Sequence, residues 1–487
     1  MLLSSVAACR AAHPRDADLV FAADQLGYLA PCGCSQHQLG GAARASAFLL
    51  DMADGGPTAF LEGGNLLFGE QTIPAEKRQQ DTDKAEALVK SWQVGADAMP
   101  SLWASGPFDD ALGPAVRTRA FVGTQPLRDP ALLHVGGISV GVLALKDASD
   151  PAAAETLRRQ GAQLVIALVQ GPWRTASSWA ESADADLALQ SGVLDPIQDT
   201  DEGAQTGGHI PAFRVKDKGR GVLTLHMHLP KDASGVAFQE SVESRKARAA
   251  ELDAVIRSNQ ERLKTAAGGL QTLLQEKIKD LESRRASLLA PPPEPPADKL
   301  SFGVRFIDLT EQLPEAPAAE QIFRAYTAET GKKNLAAQAS KACPAPKANE
   351  LHYVGASSCK GCHESELTFY SHMKHAQATQ TLVDKGRQYD LDCVGCHVLG
   401  YGKPGGACRL DRVAADGAAN VQCESCHGMA SAHVENPGKT LPPEPKPGYD
   451  SCVRCHDADN DTGFNRQTFV SHYLPEIVGP GHGRPGP

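Results

Sequence analysis

The chain has 487 residues, with 48 Lys and Arg against 58 Asp and Glu, and therefore a formal net charge of −10. A single hydrophobic core does not grow to this length, so the sequence predicts two or three domains. The acidic balance, without marked clustering of Lys and Arg, argues against nucleic acid as a partner, and no apolar run is long enough to cross a membrane as a helix.

The N-terminus contains a short segment, Val6-Ala7-Ala8-Cys9, that resembles the lipobox of bacterial lipoproteins. Processing there would leave Cys9 as a lipidated first residue, which anchors a chain to a membrane without spanning it. The basic start of a signal peptide is missing and the apolar run is short, so an accidental match is the alternative. We expect residues 1–15 to be a lipoprotein signal and the protein to be lipid-anchored in the periplasm or at the cell surface.

Residues 16–236 alternate short apolar runs with helical stretches, which predicts an α/β domain. Continuous apolar runs such as Leu164–Val169 suit strands that are buried on both faces. In the last strand His226 and His228 alternate with apolar residues, which indicates a solvated face rather than a metal pair. The predicted strands are Leu19–Ala22, Thr58–Leu61, Ile138–Leu145, Leu164–Val169, Asp186–Leu189 and Val222–Leu229.

The order of these pieces resembles the metallophosphoesterase domain of the 5′-nucleotidase family. The resemblance implies two divalent ions held by aspartate, asparagine and histidine side chains at strand ends. It rests on four stretches: Leu19-Val-Phe-Ala-Ala-Asp24-Gln-Leu-Gly27, Phe60-Leu-Glu-Gly-Gly64-Asn65-Leu-Leu-Phe-Gly69, Gly137-Ile-Ser-Val-Gly-Val-Leu-Ala-Leu145 and Leu164-Val-Ile-Ala-Leu-Val-Gln-Gly171.

Most of the metal ligands that the resemblance implies are replaced in this sequence. Asp24 is kept, but Leu26 stands where the first histidine belongs, and Asn65 takes the place of the bridging aspartate. Gln170 and Ser191 stand near the positions of the later histidines, and the tripeptide Gly-Asn-His does not occur. We therefore expect a pseudoenzyme domain that serves for docking or spacing. An active metallophosphatase is the alternative.

A second feature of this region is Pro31-Cys32-Gly-Cys34-Ser-Gln-His37. Cys32, Cys34 and His37 could form an additional metal or redox site, although three ligands leave a tetrahedral metal incompletely coordinated. The alternative is a loop with two cysteines and no chemistry, since a disulfide between cysteines this close in sequence would be strained.

Residues 237–297 are rich in charged residues, Leu and Ala, and their apolar residues recur at helical spacing. This predicts an amphipathic helix or an antiparallel helical pair with a break at Gly268-Gly269 and a Pro-rich linker at its end, through which an oligomer could form. A strand over 300–309 and a helix over 318–342 then form a connector at 298–342. The apolar positions are Leu252, Ile256, Leu263, Leu270, Leu274, Ile278, Leu281 and Leu288.

The last third of the chain contains four C-x-x-C-H motifs, the attachment signature of c-type haem. Two thiols three positions apart on a helical turn can each form a thioether with a haem vinyl group, and the next residue offers its imidazole to the iron. A zinc knuckle or a dithiol pair would not explain four histidines in the same place. The thiols are Cys359, Cys362, Cys393, Cys396, Cys423, Cys426, Cys452 and Cys455, and the proximal histidines are His363, His397, His427 and His456.

Residues 343–487 are too polar to bury an ordinary core, so four haem c groups would supply the missing apolar mass. Successive motifs begin 34, 30 and 29 residues apart, which brings the irons close enough for electron hopping. Haem is attached outside the cytoplasmic membrane, so the chain must be exported. In that oxidising compartment Cys343 and Cys408 could pair.

This region resembles the tetrahaem cytochrome c family, the type that accepts electrons from hydroxylamine oxidation in nitrifiers. The resemblance implies distal histidines at His375, His433 and His472, with His372 as the rival of His375. It also implies that the haem on His397 is five-coordinate or weakly ligated, and we expect His352 and His482 to be exposed. The matching pieces are Tyr353-Val-Gly-Ala-Ser-Ser-Cys359, His375-Ala376, Val421-Gln-Cys-Glu-Ser-Cys-His-Gly428 with His433, and Phe469-Val-Ser-His472.

Together these features predict a multidomain chain: an N-terminal α/β metallophosphoesterase-like domain, a helical connector, and a tetrahaem cytochrome c domain of short helices and loops at 343–487. The predicted function is electron transfer between redox protein partners. One alternative is an oxidoreductase that acts on a small nitrogen or sulfur species at the His397 haem. The other is an active phosphatase or nucleotidase with an accessory haem domain.

Overall fold

A computed structural model describes residues 15–31, 38–147, 152–192, 203–205, 210–292, 294–343, 345–457, 460–461 and 463–477. Cys9, Cys32, Cys34, His37 and His482 lie outside these residues. The chain divides into two compact units. The first comprises Met1–Tyr28, Leu39–Thr72 and Leu88–Ala316, and the second comprises Leu29–Gln38, Ile73–Ala87 and Pro317–Pro487.

The strands of the described residues all lie in the first unit. The apolar runs predicted from the sequence are confirmed as strands. The ends of these strands lie within two residues of the predicted ends, except that the first strand begins four residues earlier than predicted. The strands are β1 Arg15–Ala22, β2 Thr58–Glu62, β3 Ser101–Trp103, β4 Ala131–Val135, β5 Ile138–Leu145, β6 Leu164–Gln170, β7 Leu187–Ser191, β8 Gly203–Gln205, β9 Ala212–Arg214, β10 Gly221–Leu229, β11 Val236–Phe238 and β12 Leu300–Asp308.

The strands form two six-stranded mixed sheets, in the orders β11-β12-β10-β1-β2-β3 and β4-β5-β6-β7-β9-β8. One apolar core takes residues from both sheets, among them Phe21 and Leu223 from the first and Val140 and Ile166 from the second. The other face of the second sheet is covered by α4 (Ala152–Arg159) and α5 (Ala176–Ser182). The predicted α/β architecture is confirmed.

Two findings in the first sheet concern the predictions for strands β10 and β12. The strand expected at 300–309 is β12, and it pairs antiparallel with β10, so part of the predicted connector completes this sheet. His226 and His228 are exposed on β10, where their Nδ1 atoms lie 3.0 and 2.6 Å from the carboxylates of Asp18 and Asp16 on β1. The solvated face that we predicted for these histidines is confirmed.

The remaining helices follow the chain from the first unit into the second. No described helix has the length and hydropathy that a membrane crossing needs. They are α1 Ala42–Gly55, α2 Arg78–Ala96, α3 Pro114–Ala120, α6 Val242–Leu263, α7 Gly269–Leu289, α8 Pro317–Gln338, α9 Glu364–Tyr370, α10 Ala378–Asp384, α11 Val394–His397, α12 Cys423–His427, α13 Ser431–Glu435, α14 Tyr449–Cys452, α15 Arg466–Thr468 and α16 Leu474–Ile477.

Helices α6 and α7 form the helical pair that the apolar spacing predicts. Ile256 of α6 packs against Ile278 and Leu281 of α7, and the side chain of Ser241 caps α6 by accepting a hydrogen bond from the Ser244 amide at 3.0 Å. Leu270 was expected in the same stripe but is 50% exposed. It lies in the first turn of α7, beyond the level of the last residues of α6, and therefore has no facing helix to pack against.

After α8, which has 22 residues, the described part of the second unit is built from short helices, turns and loops, as predicted for residues 343–487. Its described apolar cluster is small and gathers around the second C-x-x-C-H motif, with Val394, Val398 and Leu399 fully or almost fully buried. Cys343 and Cys408 form a disulfide with Cα atoms 5.7 Å apart. This bond joins the segment after α8 to the loop that follows the second motif.

Candidate functional site

The four C-x-x-C-H motifs lie on single helical turns, which present both thiols on one side. The first begins at the end of a 3-10 turn, Ala356–Cys359, the second and third coincide with α11 and α12, and the fourth follows from α14. Seven of the eight thiols are half-buried and Cys362 is exposed. Two thiols on one face of a turn are what attachment to a flat group with two vinyl substituents requires.

Contacts between cysteines show which motifs are neighbours. The Cys359 thiol of the first motif hydrogen-bonds Cys423 of the third, and Cys396 of the second motif bonds Cys455 of the fourth. Burial raises the pKa of the Cys426 thiol to about 11, and the nearby Cys452 adds to this effect. The third and fourth motifs are therefore also adjacent. The order in space is first, third, fourth, second, which differs from the order in sequence.

Two pairs of imidazole rings face each other at a spacing that suits an iron between them. The ring centroids of His363 and His433 are 6.3 Å apart, and those of His375 and His456 are 6.1 Å apart. Two bonds of about 2 Å from facing ring nitrogens to one metal place ring centres roughly 6 Å apart. Each pair joins a proximal histidine of one motif to a histidine from elsewhere in the chain.

The hydrogen bonds of three imidazoles assign the ring proton to Nδ1. His397 and His427 direct Nδ1 to the backbone oxygens of Ala378 and Glu444, at 2.7 and 2.9 Å. His433 directs Nδ1 to the oxygen of Thr440 at 2.6 Å. A carbonyl oxygen can only accept, so Nδ1 carries the proton in these rings and Nε2 is the nitrogen that would ligate iron, which is how metal-ligating histidines are oriented in proteins. The residues present therefore fit haem.

The other candidate histidines have different surroundings. His372 is exposed in the turn after α9, and its Nδ1 lies 2.8 Å from the backbone oxygen of Thr368 in that helix. His352 is half-buried rather than exposed, with Nδ1 2.9 Å from the oxygen of Glu350. His472 is exposed on a π-helical turn, with its ring centroid 5.4 Å from that of Tyr473. The structure thus brings His375, and not His372, beside a proximal histidine.

The segment that leads into the second motif is held by a part of the chain far away in sequence. Gln80 donates to Asp390 at 2.7 Å and accepts from the amide of Leu391 at 3.0 Å. Next to it, Lys84 contacts Asp392 at 2.8 Å, and Lys77 binds the other oxygen of the same carboxylate. Burial works against the charged form of Asp392, but Lys84 and then Lys77 hold its pKa well below the usual range.

The first unit carries a cluster of buried carboxyl groups where the phosphoesterase resemblance places metals. Asp24 follows β1 and accepts hydrogen bonds from the side-chain amide of Asn65 at 2.9 Å, the backbone amide of Gly192 at 2.9 Å and the hydroxyl of Ser191 at 3.3 Å. Gln170 donates to backbone oxygens at 3.1 and 3.2 Å. The described residues contain no group of three or more His, Cys, Asp or Glu that could hold a metal ion.

The sequence reading missed two further acids of this cluster, Glu62 and Asp109. Glu62 accepts from Gln25 and from the Gly64 amide, each at 3.0 Å, and Asp109 accepts from three backbone amides, that of Leu67 at 2.7 Å among them. Burial raises the pKa of Asp24 to about 7 and that of Asp109 to about 6, and it raises that of Glu62 well above its ordinary value. Glu62 could have been noticed as an acid that ends a buried strand.

Comparison with known proteins defines the class of the C-terminal region. Residues 358–428, which contain the first three motifs, match the family described as "Cytochrome c554 and c-prime". The region is thus similar to multihaem c-type cytochromes, and this similarity implies covalently bound haem c.

The particular relative found among curated proteins is "Cytochrome c-554" of Nitrosomonas europaea. The two chains are 32% identical over 97 residues, which cover 17% of this chain and 40% of that protein. The chain therefore matches less than half the length of this curated relative.

Solved structures similar to this chain include three phosphoesterase-type proteins. The sulfate thiohydrolase SoxB of Thermus thermophilus has a TM-score of 0.42 and 13% identity and covers 66% of this chain and 62% of its own. For a 5′-nucleotidase of Staphylococcus aureus the TM-score is 0.35 and the identity 12%, and the match covers 54% of this chain and 58% of that protein. For the calcineurin-like phosphoesterase YfkN of Bacillus subtilis the TM-score is 0.32 and the identity 11%, and the match covers 44% of this chain and 86% of that protein.

Proposed function

We propose that this chain is an exported tetrahaem c-type cytochrome that passes electrons between redox protein partners. The observation that carries the proposal is the meeting of four separate C-x-x-C-H turns in one unit, with two imidazole pairs at the spacing of axial ligands. His363, His397, His427 and His456 are the proximal ligands, and His433 and His375 are distal ligands of the first and fourth haems. When bound, the haems supply one-electron redox chemistry.

The surroundings of the motifs support a chain of close haems. Cys359 and Cys423 link the first motif to the third, Cys396 and Cys455 link the second to the fourth, and Cys452 of the fourth motif lies close enough to Cys426 of the third to raise its pKa. Bis-histidine ligation leaves no open coordination position and suits electron transfer without substrate binding. The disulfide between Cys343 and Cys408 fits the oxidising compartment in which haem is attached. A lipid anchor at Cys9 would hold the protein at a membrane there.

The N-terminal α/β domain is proposed to be catalytically inactive and to serve for docking. Its carboxylates are occupied by hydrogen-bond donors: Asn65 and Gly192 on Asp24, Gln25 on Glu62 and three backbone amides on Asp109. Amide donors neutralise a carboxylate in the way that a cation otherwise would, and they use the oxygen lone pairs that a metal needs. Burial raises the pKa values of Asp24 and Asp109, although the hydrogen bonds to both carboxyl groups and the charge of Arg214 near Asp24 work in the opposite direction.

Haem stoichiometry tests the proposal directly. We expect the full chain, matured in a host competent for cytochrome c assembly, to carry four covalent haems, and Cys393→Ser/Cys396→Ser to carry three. A colourless protein, or one whose eight motif thiols are free or hold zinc, would refute the proposal. The matched control is Cys343→Ser/Cys408→Ser, which removes two cysteines outside the motifs and should retain four haems.

Binding of a small ligand distinguishes the carrier from the enzyme. The resemblance implies that the haem on His397 is five-coordinate, and carbon monoxide added to the reduced protein would then shift the Soret spectrum of that haem. Turnover of a small nitrogen or sulfur species at this haem would favour the oxidoreductase. Four haems that all resist carbon monoxide would favour a carrier with four closed coordination spheres.

A further inference from the structure

The imidazole of His456 is held differently from the other proximal imidazoles that have a described Nδ1 partner. Its Nδ1 lies 2.9 Å from the Oδ2 atom of Asp461, a carboxylate, whereas His397 and His427 face backbone carbonyl oxygens. Asp461 is only five residues further along the chain, and its own amide donates to the oxygen of Asp457 at 2.8 Å. This turn brings the carboxylate to the Nδ1 atom of the ring.

The carboxylate is itself held by a second donor. The hydroxyl of Tyr473 lies 2.9 Å from Oδ2 and 3.1 Å from Oδ1 of Asp461. The side chain of Asp461 is 15% exposed and that of His456 is 31% exposed. The ring of Phe464 packs against those of His456 and Tyr473, with centroid distances of 5.0 and 4.9 Å. The pair is therefore shielded from water on this side, where a hydrogen bond to a charged acceptor is strengthened.

We propose that Asp461 is a positioning residue that lowers the reduction potential of the haem on His456, and that Tyr473 moderates the effect. The inference rests on the proposed function, since it requires haem at the fourth motif. A carboxylate accepts the Nδ1 proton more strongly than a carbonyl oxygen does. It thereby makes Nε2 a more basic ligand, which stabilises oxidised iron more than reduced iron.

Tyr473 acts in the opposite direction through the same carboxylate. Its hydroxyl donates into the oxygen that faces His456, which withdraws electron density from that hydrogen bond. Removal of the hydroxyl leaves Asp461 a stronger acceptor for the imidazole. The two variants, Asp461→Asn and Tyr473→Phe, are therefore expected to shift one potential in opposite directions, which a purely structural role of the pair does not predict.

The position of the fourth motif gives this potential a role in the whole chain of haems. Cys455 of the fourth motif contacts the second motif, and Cys452 is close to the third. A haem of low potential between two others slows the passage of electrons from one side to the other. The second haem, whose distal position the resemblance leaves open, would then retain an electron longer.

The test is a spectroscopic redox titration of the full-length holoprotein and its variants. In Asp461→Asn one haem should become easier to reduce, with at least a tenfold rise in its reduced-to-oxidised ratio at a fixed ambient potential, or about 59 mV for one electron. In Tyr473→Phe the same haem should become harder to reduce. Asp450→Asn removes an equal charge next to the fourth motif, at a carboxylate that pairs with Arg466 and is 87% exposed, and should shift the potentials less.

Three results would overturn the inference: both variants shift the potential in the same direction, neither shift exceeds that of Asp450→Asn, or the affected haem is not the one on His456. The low-spin EPR signals assign that haem, since the signal that changes in Asp461→Asn should be the one lost in Cys452→Ser/Cys455→Ser. If four haems are present and the potentials do not move, only this inference fails. Absence of haem at the fourth motif is a failure of the proposed function instead.

Discussion

Gln80 offers a sharp test of how the segment before the second motif is held. Its side chain is 1% exposed and makes three hydrogen bonds: it donates to Asp390 at 2.7 Å and accepts from the Leu391 amide at 3.0 Å and from the amide of Asn334 at 2.8 Å. Gln80→Leu keeps the approximate volume and removes all three bonds. The loss of stability in this variant therefore comes from buried polar groups that lose a hydrogen-bond partner and not from a cavity.

The magnitude follows from the partners that remain. Asn334 still donates to the oxygen of Tyr389 at 2.8 Å and Asp390 still accepts from Arg387 at 2.8 Å, so neither is left without any bond. At about 1 kcal/mol for each lost bond, we expect the second unit to lose about 3 kcal/mol of unfolding free energy. With a urea m-value of about 2 kcal/mol/M, the midpoint should fall by about 1.5 M.

The assay is urea unfolding of the holoprotein followed by Soret absorbance, which reports the loss of axial ligands in the second unit. Gln79→Leu is the matched control, because this neighbouring side chain is exposed and bonds only its own helix in the described contacts, at Asp83. It should change the unfolding free energy by less than about 0.5 kcal/mol. A midpoint for Gln80→Leu equal to that of Gln79→Leu would refute the claim that this contact holds the second motif in place.

Three other predictions concern the first unit and the disulfide. Asp24 has a pKa near 7 in the fold against about 3.9 when unfolded, so the native state binds the extra proton. The stability of the first unit should therefore fall by up to about 4 kcal/mol as the pH rises from about 4 to about 7. Asp24→Asn should make the unfolding free energy less dependent on pH. Tryptophan fluorescence during urea unfolding measures this, since all four tryptophans lie in the first unit. An unchanged pH dependence in the variant would contradict the prediction. Cys343→Ser/Cys408→Ser removes the disulfide that closes a loop with a sequence separation of 65, and it should lower the unfolding free energy of the second unit by about 4 kcal/mol. The Soret assay measures this change, and an unchanged urea midpoint would show that the disulfide does not stabilise the unit. Added Mn²⁺ or Zn²⁺ should produce no phosphatase activity, and metal-dependent turnover would show that the N-terminal domain is an active enzyme.

The features that the sequence predicted well are those encoded by neighbouring residues. Covalent haem attachment needs Cys, Cys and His within five positions, so each motif is visible in the sequence without any knowledge of the fold. The strand Leu164–Gln170 is visible for a similar reason, because every residue of its apolar run is buried in one sheet. Helices α6 and α7 follow from spacing alone, and only the position of Leu270, which depends on where the partner helix ends, was missed.

The features that were missed depend on residues far apart in sequence. Nothing near Gln80 indicates that it will meet Asp390 and Leu391 some three hundred residues later. Asp109 likewise lies in a loop without a strand pattern, yet its carboxylate receives the amide of Asn65. The bond from His456 to Asp461 is local, but Asp457 is closer in sequence, and only the turn decides which acid faces the ring.

The two imidazole pairs have a consequence for how such a protein is assembled. His363 meets a partner from residue 433 and His456 meets one from residue 375, so the two closed segments overlap along the chain. If His433 is the distal ligand of the first haem and the polypeptide is exported from its N-terminus, the first haem is attached well before His433 has been exported. Truncating the chain before residue 433 would therefore remove the proposed distal ligand of the first haem, which is the haem furthest from the cut. During maturation the iron of that haem lacks this ligand until residue 433 has been exported.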